Sequence, residues 1–290
     1  MKSLARPILF CTFLAAVANA ATLVDRGLPN GNTVNDIAGV NRSNISWAGA
    51  PAPNSPPPFL VGDNFTLPGG FPTYNVTSIM VFITAATANT TNITTEFNNF
   101  TLYGGLDSNP AAFGIIPVLN TFFTRVYYPG AGNNLDPCSN ITTGAQYQGS
   151  TGNCRAIFSV NFIVNLVLNA NAVYNFAVGA NSLLGTCDTN NPGNCLFLHA
   201  SNATLSGNTQ QGSNNQYQVW DPFDAASLAA GYYRYNSAAN CPANSADVCG
   251  GFGNTSSDIN VVVQGNGIPE PSTYSLILLG AGLIALRRRK

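Results

Sequence analysis

Histidine occurs once in the 290-residue sequence, at position 199. A Ser-His-Asp or Cys-His arrangement would have to use His199, and no Gly-x-Ser-x-Gly nucleophile turn accompanies it. His199 follows Phe197 on the alternating run Leu196 to Ala200, which predicts a strand-end histidine with a local hydrogen bond rather than a catalytic base. Glycoside hydrolysis instead needs two facing carboxyl groups. Asp221 with Asp224, beside Trp220, and Asp63 with Glu96 are the candidate pairs. Yet Glu96 and Glu270 are the only glutamates, and the aspartates sit in turn contexts such as Leu135-Asp136-Pro137, where a short acceptor side chain closes a turn. No catalytic residue is therefore expected.

Metal chemistry is equally bounded. Zinc needs several His or Cys ligands, and the sequence has one histidine and no Cys-x-x-Cys. No cofactor is expected. Oxygen donors at Asp25, Asp36, Asp63 and Asp258 leave room for one structural calcium, although they lack the spacing of an EF-hand loop. Exposed aromatic rings can stack on sugars. Trp47, Trp220 and the run Tyr232-Tyr233-Arg234-Tyr235 are the candidates, with Arg234 able to hydrogen-bond sugar hydroxyls.

Six cysteines follow residue 20: Cys138, Cys154, Cys187, Cys195, Cys241 and Cys249. They fall into three local couples. An even count in an exported chain favours disulfides, and the spacing predicts Cys138–Cys154, Cys187–Cys195 and Cys241–Cys249. Closing loops of this length would contribute about 2–3 kcal/mol each.

Export is read from the N-terminus. Lys2 and Arg6 precede an apolar stretch, Ile8 to Val17, and Ala18-Asn19-Ala20 forms an A-x-A cleavage site, so residues 1–20 read as a signal peptide cut after Ala20. Cysteine 11 leaves with it. Between residues 21 and 267 stand eleven acidic residues and five arginines, a net charge of −6, with no lysine. No basic patch remains, and nucleic-acid binding is excluded as an expectation.

The elements that must position these residues are strands. Period-two alternation is clearest from Ala156 to Asn169, where Phe158, Val160, Phe162, Val164, Leu166 and Leu168 share one face, the pattern of a central sandwich strand. Further strands are predicted at Val76 to Thr84, Asn99 to Tyr103, Thr121 to Tyr128, Ala172 to Val178, Leu196 to Ala200, Gln216 to Trp220 and Ile259 to Gln264. Only Pro222 to Ala230 invites a helix. Residues 48–58 are a proline-rich loop of extended chain. The expected architecture is all-β, a single jelly roll or β-sandwich spanning 21–267 with long loops.

The last 23 residues complete the address. Pro269-Glu270-Pro271 precedes a 13-residue apolar run, Tyr274 to Leu286, and then Arg287, Arg288, Arg289 and Lys290. As a helix the run rises roughly 20 Å, short of the roughly 30 Å hydrocarbon core. The terminal cations would stay at the cytoplasmic face. Pro-Glu-Pro-Ser-Thr, a glycine-containing apolar segment and an arginine cluster in this order resemble the PEP-CTERM sorting signal. That resemblance, over 268–290, implies an exported protein of a Gram-negative bacterium. It implies passing anchorage in the inner membrane through a short helix, then processing near the triplet by exosortase. The product would stay at the cell surface or enter the exopolysaccharide matrix. Residues 39–48 together with Gly62-Asp63-Asn64-Phe65 also resemble N-terminal segments of other PEP-CTERM β-domains, which implies one continuous domain. The expected role is structural or adhesive, with a carbohydrate-binding module as the alternative and a glycoside hydrolase third.

Overall fold

The computed structural model describes residues 20–27, 43–48, 60–85, 90–109, 112–126, 157–185, 194, 196–201, 217–220, 233–235 and 258–270. Among them fourteen strands form: β1 (Ala21–Arg26), β2 (Ser43–Ala48), β3 (Leu60–Thr66), β4 (Thr73–Thr84), β5 (Phe97–Leu106), β6 (Gly114–Ile115), β7 (Asn120–Arg125), β8 (Ile157–Asn169), β9 (Val173–Ser182), β10 (Leu196–Ser201), β11 (Tyr217–Trp220), β12 (Tyr233–Tyr235), β13 (Asp258–Ile259) and β14 (Val261–Ile268). A 3-10 turn, Ile93–Thr95, is capped by the Asn92 side chain, which accepts from the Thr94 amide. The chain is all-β across the described residues.

Two antiparallel sheets result. In the first, β7, β8, β4, β14 and β1 lie side by side, and β10, with β2 and β13, extends the row past the end of β4. The second runs β12-β11-β3-β9-β5-β6. One core fills the space between them. Val24, Ile79, Val81, Phe158, Val160, Phe162 and Val263 come from the first sheet, and Phe65, Phe97, Leu102, Phe176 and Val178 from the second.

The β8 alternation is borne out. Phe158, Val160, Phe162 and Val164 are buried and Leu166 and Leu168 pack partly on the core, while β8 is flanked by β4 and β7 as an interior strand over its first half. The other predicted strands all form, with shifted ends. The seventh strand stops at Arg125 rather than Tyr128. The fifth starts at Phe97 and bulges between Asn98 and Thr101, where Asn99 takes φ 52°, a left-handed conformation that asparagine tolerates better than most residues. The last predicted strand is interrupted at Asn260. Next to it the Ile259 amide donates to the Asp63 carboxylate of the second sheet (2.9 Å). The helical reading of Pro222 to Ala230 and the proline-rich loop beyond Ala48 lie outside the described residues.

Candidate functional site

Interior position is the first property of the strand that leads to the sorting segment. β14 is paired on both sides, to β1 and to β4, and Val261 and Val263 are fully buried. Its valines favour the pleated, half-buried surface. The partnership with β1 ends at Gly265, which faces Ala21, while pairing to β4 continues to Ile268, opposite Thr73. Glycine is required at Gly265, where backbone leaves no room for a side chain. A Cβ on Gly265 would stand 2.3 Å from the Asn75 carbonyl oxygen. One on Gly267 would stand 2.1 Å from the ring of the exposed Phe71, which packs edge-on to Tyr74 and would have to move.

Pro269 then ends the ladder, because it has no N–H to donate. It is half-buried against the sheet end, and Glu270 is exposed. The first two residues of the triplet thus leave the protein directly from a paired strand. Pro271 and the tail, including Arg287, Arg288 and Arg289, lie outside the described residues.

The N-terminus emerges at the same place. Because β1 runs antiparallel to β14, Ala21 is the partner of Gly265, three residues before the end of β14 at Ile268, and the exposed Ala20 precedes it. The expected signal cleavage and the triplet therefore lie at one end of one sheet. β1 begins at the first residue after Ala20, so cutting there would leave every β1–β14 pair in place.

At the other end of β1 the carboxylate chemistry resolves into a lock. The Arg26 side chain is 2% exposed and the Asp63 side chain 0%, and Arg26 Nη1 donates to Asp63 Oδ2 at 3.2 Å. Asp63 Oδ1 also accepts from the Asn64 amide (2.7 Å), and Arg26 Nη2 donates to the Asn64 carbonyl (2.5 Å). Asn260 Nδ2 donates to the carbonyls of Arg26 (3.1 Å) and Gly27 (2.8 Å). Arg26 and Ile259 belong to the first sheet and Asp63 to the second, so this network, three donors on one carboxylate, ties the two sheets together.

Asp63 and Glu96 do not form a hydrolytic pair. Asp63 faces Phe176 in β9, whereas Glu96 precedes Phe97, which faces Ser182 six residues further along β9. At about 3.3 Å per residue that is roughly 20 Å, well beyond the roughly 5–9.5 Å that glycosidases use. Glu96 is buried and accepts from the Thr90 hydroxyl. Asp25 is exposed and closes a turn by accepting from the Gly27 amide (3.0 Å). Among the described residues no three His, Cys, Asp or Glu side chains converge on a metal position. Asp36, Asp221 and Asp224 fall outside them.

The remaining candidates divide. Tyr233, Arg234 and Tyr235 form β12 at the end of the second sheet, and register pairs Tyr235 with Tyr217, Arg234 with Gln218 and Tyr233 with Val219. Tyr232 lies outside the described residues, as do all six cysteines. His199 lies in β10 opposite Ile45. Among the described residues no helix is long and apolar enough to cross a membrane.

Compared with known proteins, residues 267–290 match the PEP-CTERM protein-sorting motif. This motif implies an exported protein processed by exosortase. No curated protein and no solved structure matches the chain.

Proposed function

We propose that the chain is an exosortase substrate whose non-enzymatic β-domain, a jelly roll or sandwich of residues 21–267, acts structurally or adhesively at the cell surface or in the exopolysaccharide matrix. The matched motif carries this reading, supported by the exit of Pro269 and Glu270 from a strand paired to the end. A protease can reach such a peptide without opening the core. Anchorage in the inner membrane precedes processing, exosortase is the processing partner, and no cofactor is invoked. Alanines at Pro269, Glu270 and Pro271 should leave an uncut, membrane-retained form.

Durability outside the cell would rest partly on disulfides. Gly185 and Asn194 lie together, with the Asn194 amide nitrogen 3.1 Å from where a Gly185 Cβ would stand, so the ends of the segment holding Cys187 meet. That closeness favours Cys187–Cys195. Titrating the unfolded, unreduced mature protein with a thiol reagent should find no free thiol; six would refute the three bridges.

A second reading is a carbohydrate-binding module. The register that sets Tyr217 opposite Tyr235 on the edge pair β11–β12, with Tyr233 two residues along on the same face, favours it. Binding on a glycan array that drops at least tenfold in Tyr233→Ala would support this reading, and a chain silent on the array would end it.

A further inference from the structure

The two sheets part company beside the second half of β8. β7 pairs with β8 only from Phe158 to Ile163, and β6 pairs with β5 only at Tyr103 and Gly104. The segment Ile116–Leu119 crosses from one sheet to the other between these limits, its Ile116 amide bonded to the Leu102 carbonyl and its Leu119 amide to the Ile163 carbonyl. Next to this crossing lies a cleft of about 330 Å³. Phe65 and Ile79, each 1% exposed, line it, and Leu106, Ile116, Leu166 and Leu168 form its partly open walls.

Three observations define what fits there. Among the described residues no Asp, Glu, Lys, Arg or His lines the cleft. Its one hydroxyl, that of Tyr174, is already engaged by the Asn169 amide at 2.7 Å. The other polar side chains of the described lining, Asn169 and Asn175, are neutral amides, so a charged ligand would lose its hydration without gaining a counter-charge. The volume falls at the lower end of the roughly 300–1,000 Å³ of small-molecule sites, enough for one slender apolar group. Position is the third. Asn169, at the rim, faces Thr73, and Thr73 faces Ile268, so the cleft opens at the end of the sheet from which the sorting motif departs.

We propose that this cleft binds a single aliphatic chain, its uncharged linking group at the rim beside Asn169. The cleft itself stands independently of the sorting reading; the departure of the motif from this end makes a bilayer lipid the nearest source of such a chain.

Photolabelling of the full chain tests this. One arm uses a decanol bearing a diazirine on its chain, and the other uses phosphatidylcholine vesicles with the diazirine on an acyl chain. Label is expected on peptides carrying Leu106 and Leu166 to Phe176, competed by excess decanol, and at least fivefold weaker in Leu166→Trp, which fills the cleft. Labelling from decanol alone identifies a free ligand, and labelling from vesicles identifies a bilayer chain; either result supports the site. Label confined to residues 1–20 and 274–290, or unchanged in Leu166→Trp, overturns it. If Leu166→Trp does not fold, Leu168→Asn replaces it, with the same fall expected because the wall loses its apolar character.

Discussion

Arg26→Met is expected to lower the stability of the folded domain by about 3–5 kcal/mol, because it leaves the Asp63 carboxylate buried without its cation. Asp63 has no exposure through which water could replace the guanidinium, and its two remaining donors are backbone amides. The pair itself need not be worth that much. Desolvating two ions offsets most of their attraction, so removing both should cost less than removing one. Arg26→Met combined with Asp63→Asn should therefore recover a large part of the loss, since the new amide oxygen can still accept from Ile259 or Asn64. Denaturant unfolding of both variants measures this coupling directly. Equal losses in the single and double variants would show that the charge pair is not what holds the sheets together there. Asp63 takes the Ile259 amide next to Asn260, the residue that separates β13 from β14.

Replacing Pro269, Glu270 and Pro271 by alanine is expected to reduce the processed fraction at least tenfold, which corresponds to a loss of about 1.4 kcal/mol in the cutting step. The physical reason is local. Pro269 ends the β14 ladder and holds extended backbone, and an alanine at 269 regains an N–H that can prolong pairing into the cut segment. The domain should not suffer, because the pairs from Val261 to Ile268 are untouched. Fractionation of cells and blotting against the domain would show the uncut form retained with the membranes. Unchanged processing would mean that the triplet is not read.

What the sequence makes legible follows from the range of the interactions involved. Strand β8 is readable because its six apolar residues alternate locally, and burial follows that alternation. Leu60–Thr66 is not readable as a strand, since Gly62-Asp63-Asn64 has turn chemistry. It becomes β3 because Arg26, 37 residues away, neutralises Asp63 from the other sheet. The same long-range pairing turns an apparent calcium or catalytic aspartate into a structural one. Strand β1 was hidden for a related reason: Leu23 and Val24 are too short an apolar signal until β14 lies beside them. The cleft has walls drawn from β3, β4, β5, β8 and β9, and no local pattern announces such a combination. The sorting signal is the opposite case. Its proline triplet, apolar run and cations are consecutive, so order alone reveals them.

The most direct test of the account is the intact mass of the protein recovered from outside the inner membrane, with both termini sequenced. The expected chain starts at Ala21, ends near Pro269-Glu270-Pro271 and carries no trace of Tyr274 to Lys290. A mature extracellular form that still holds those last residues would contradict it.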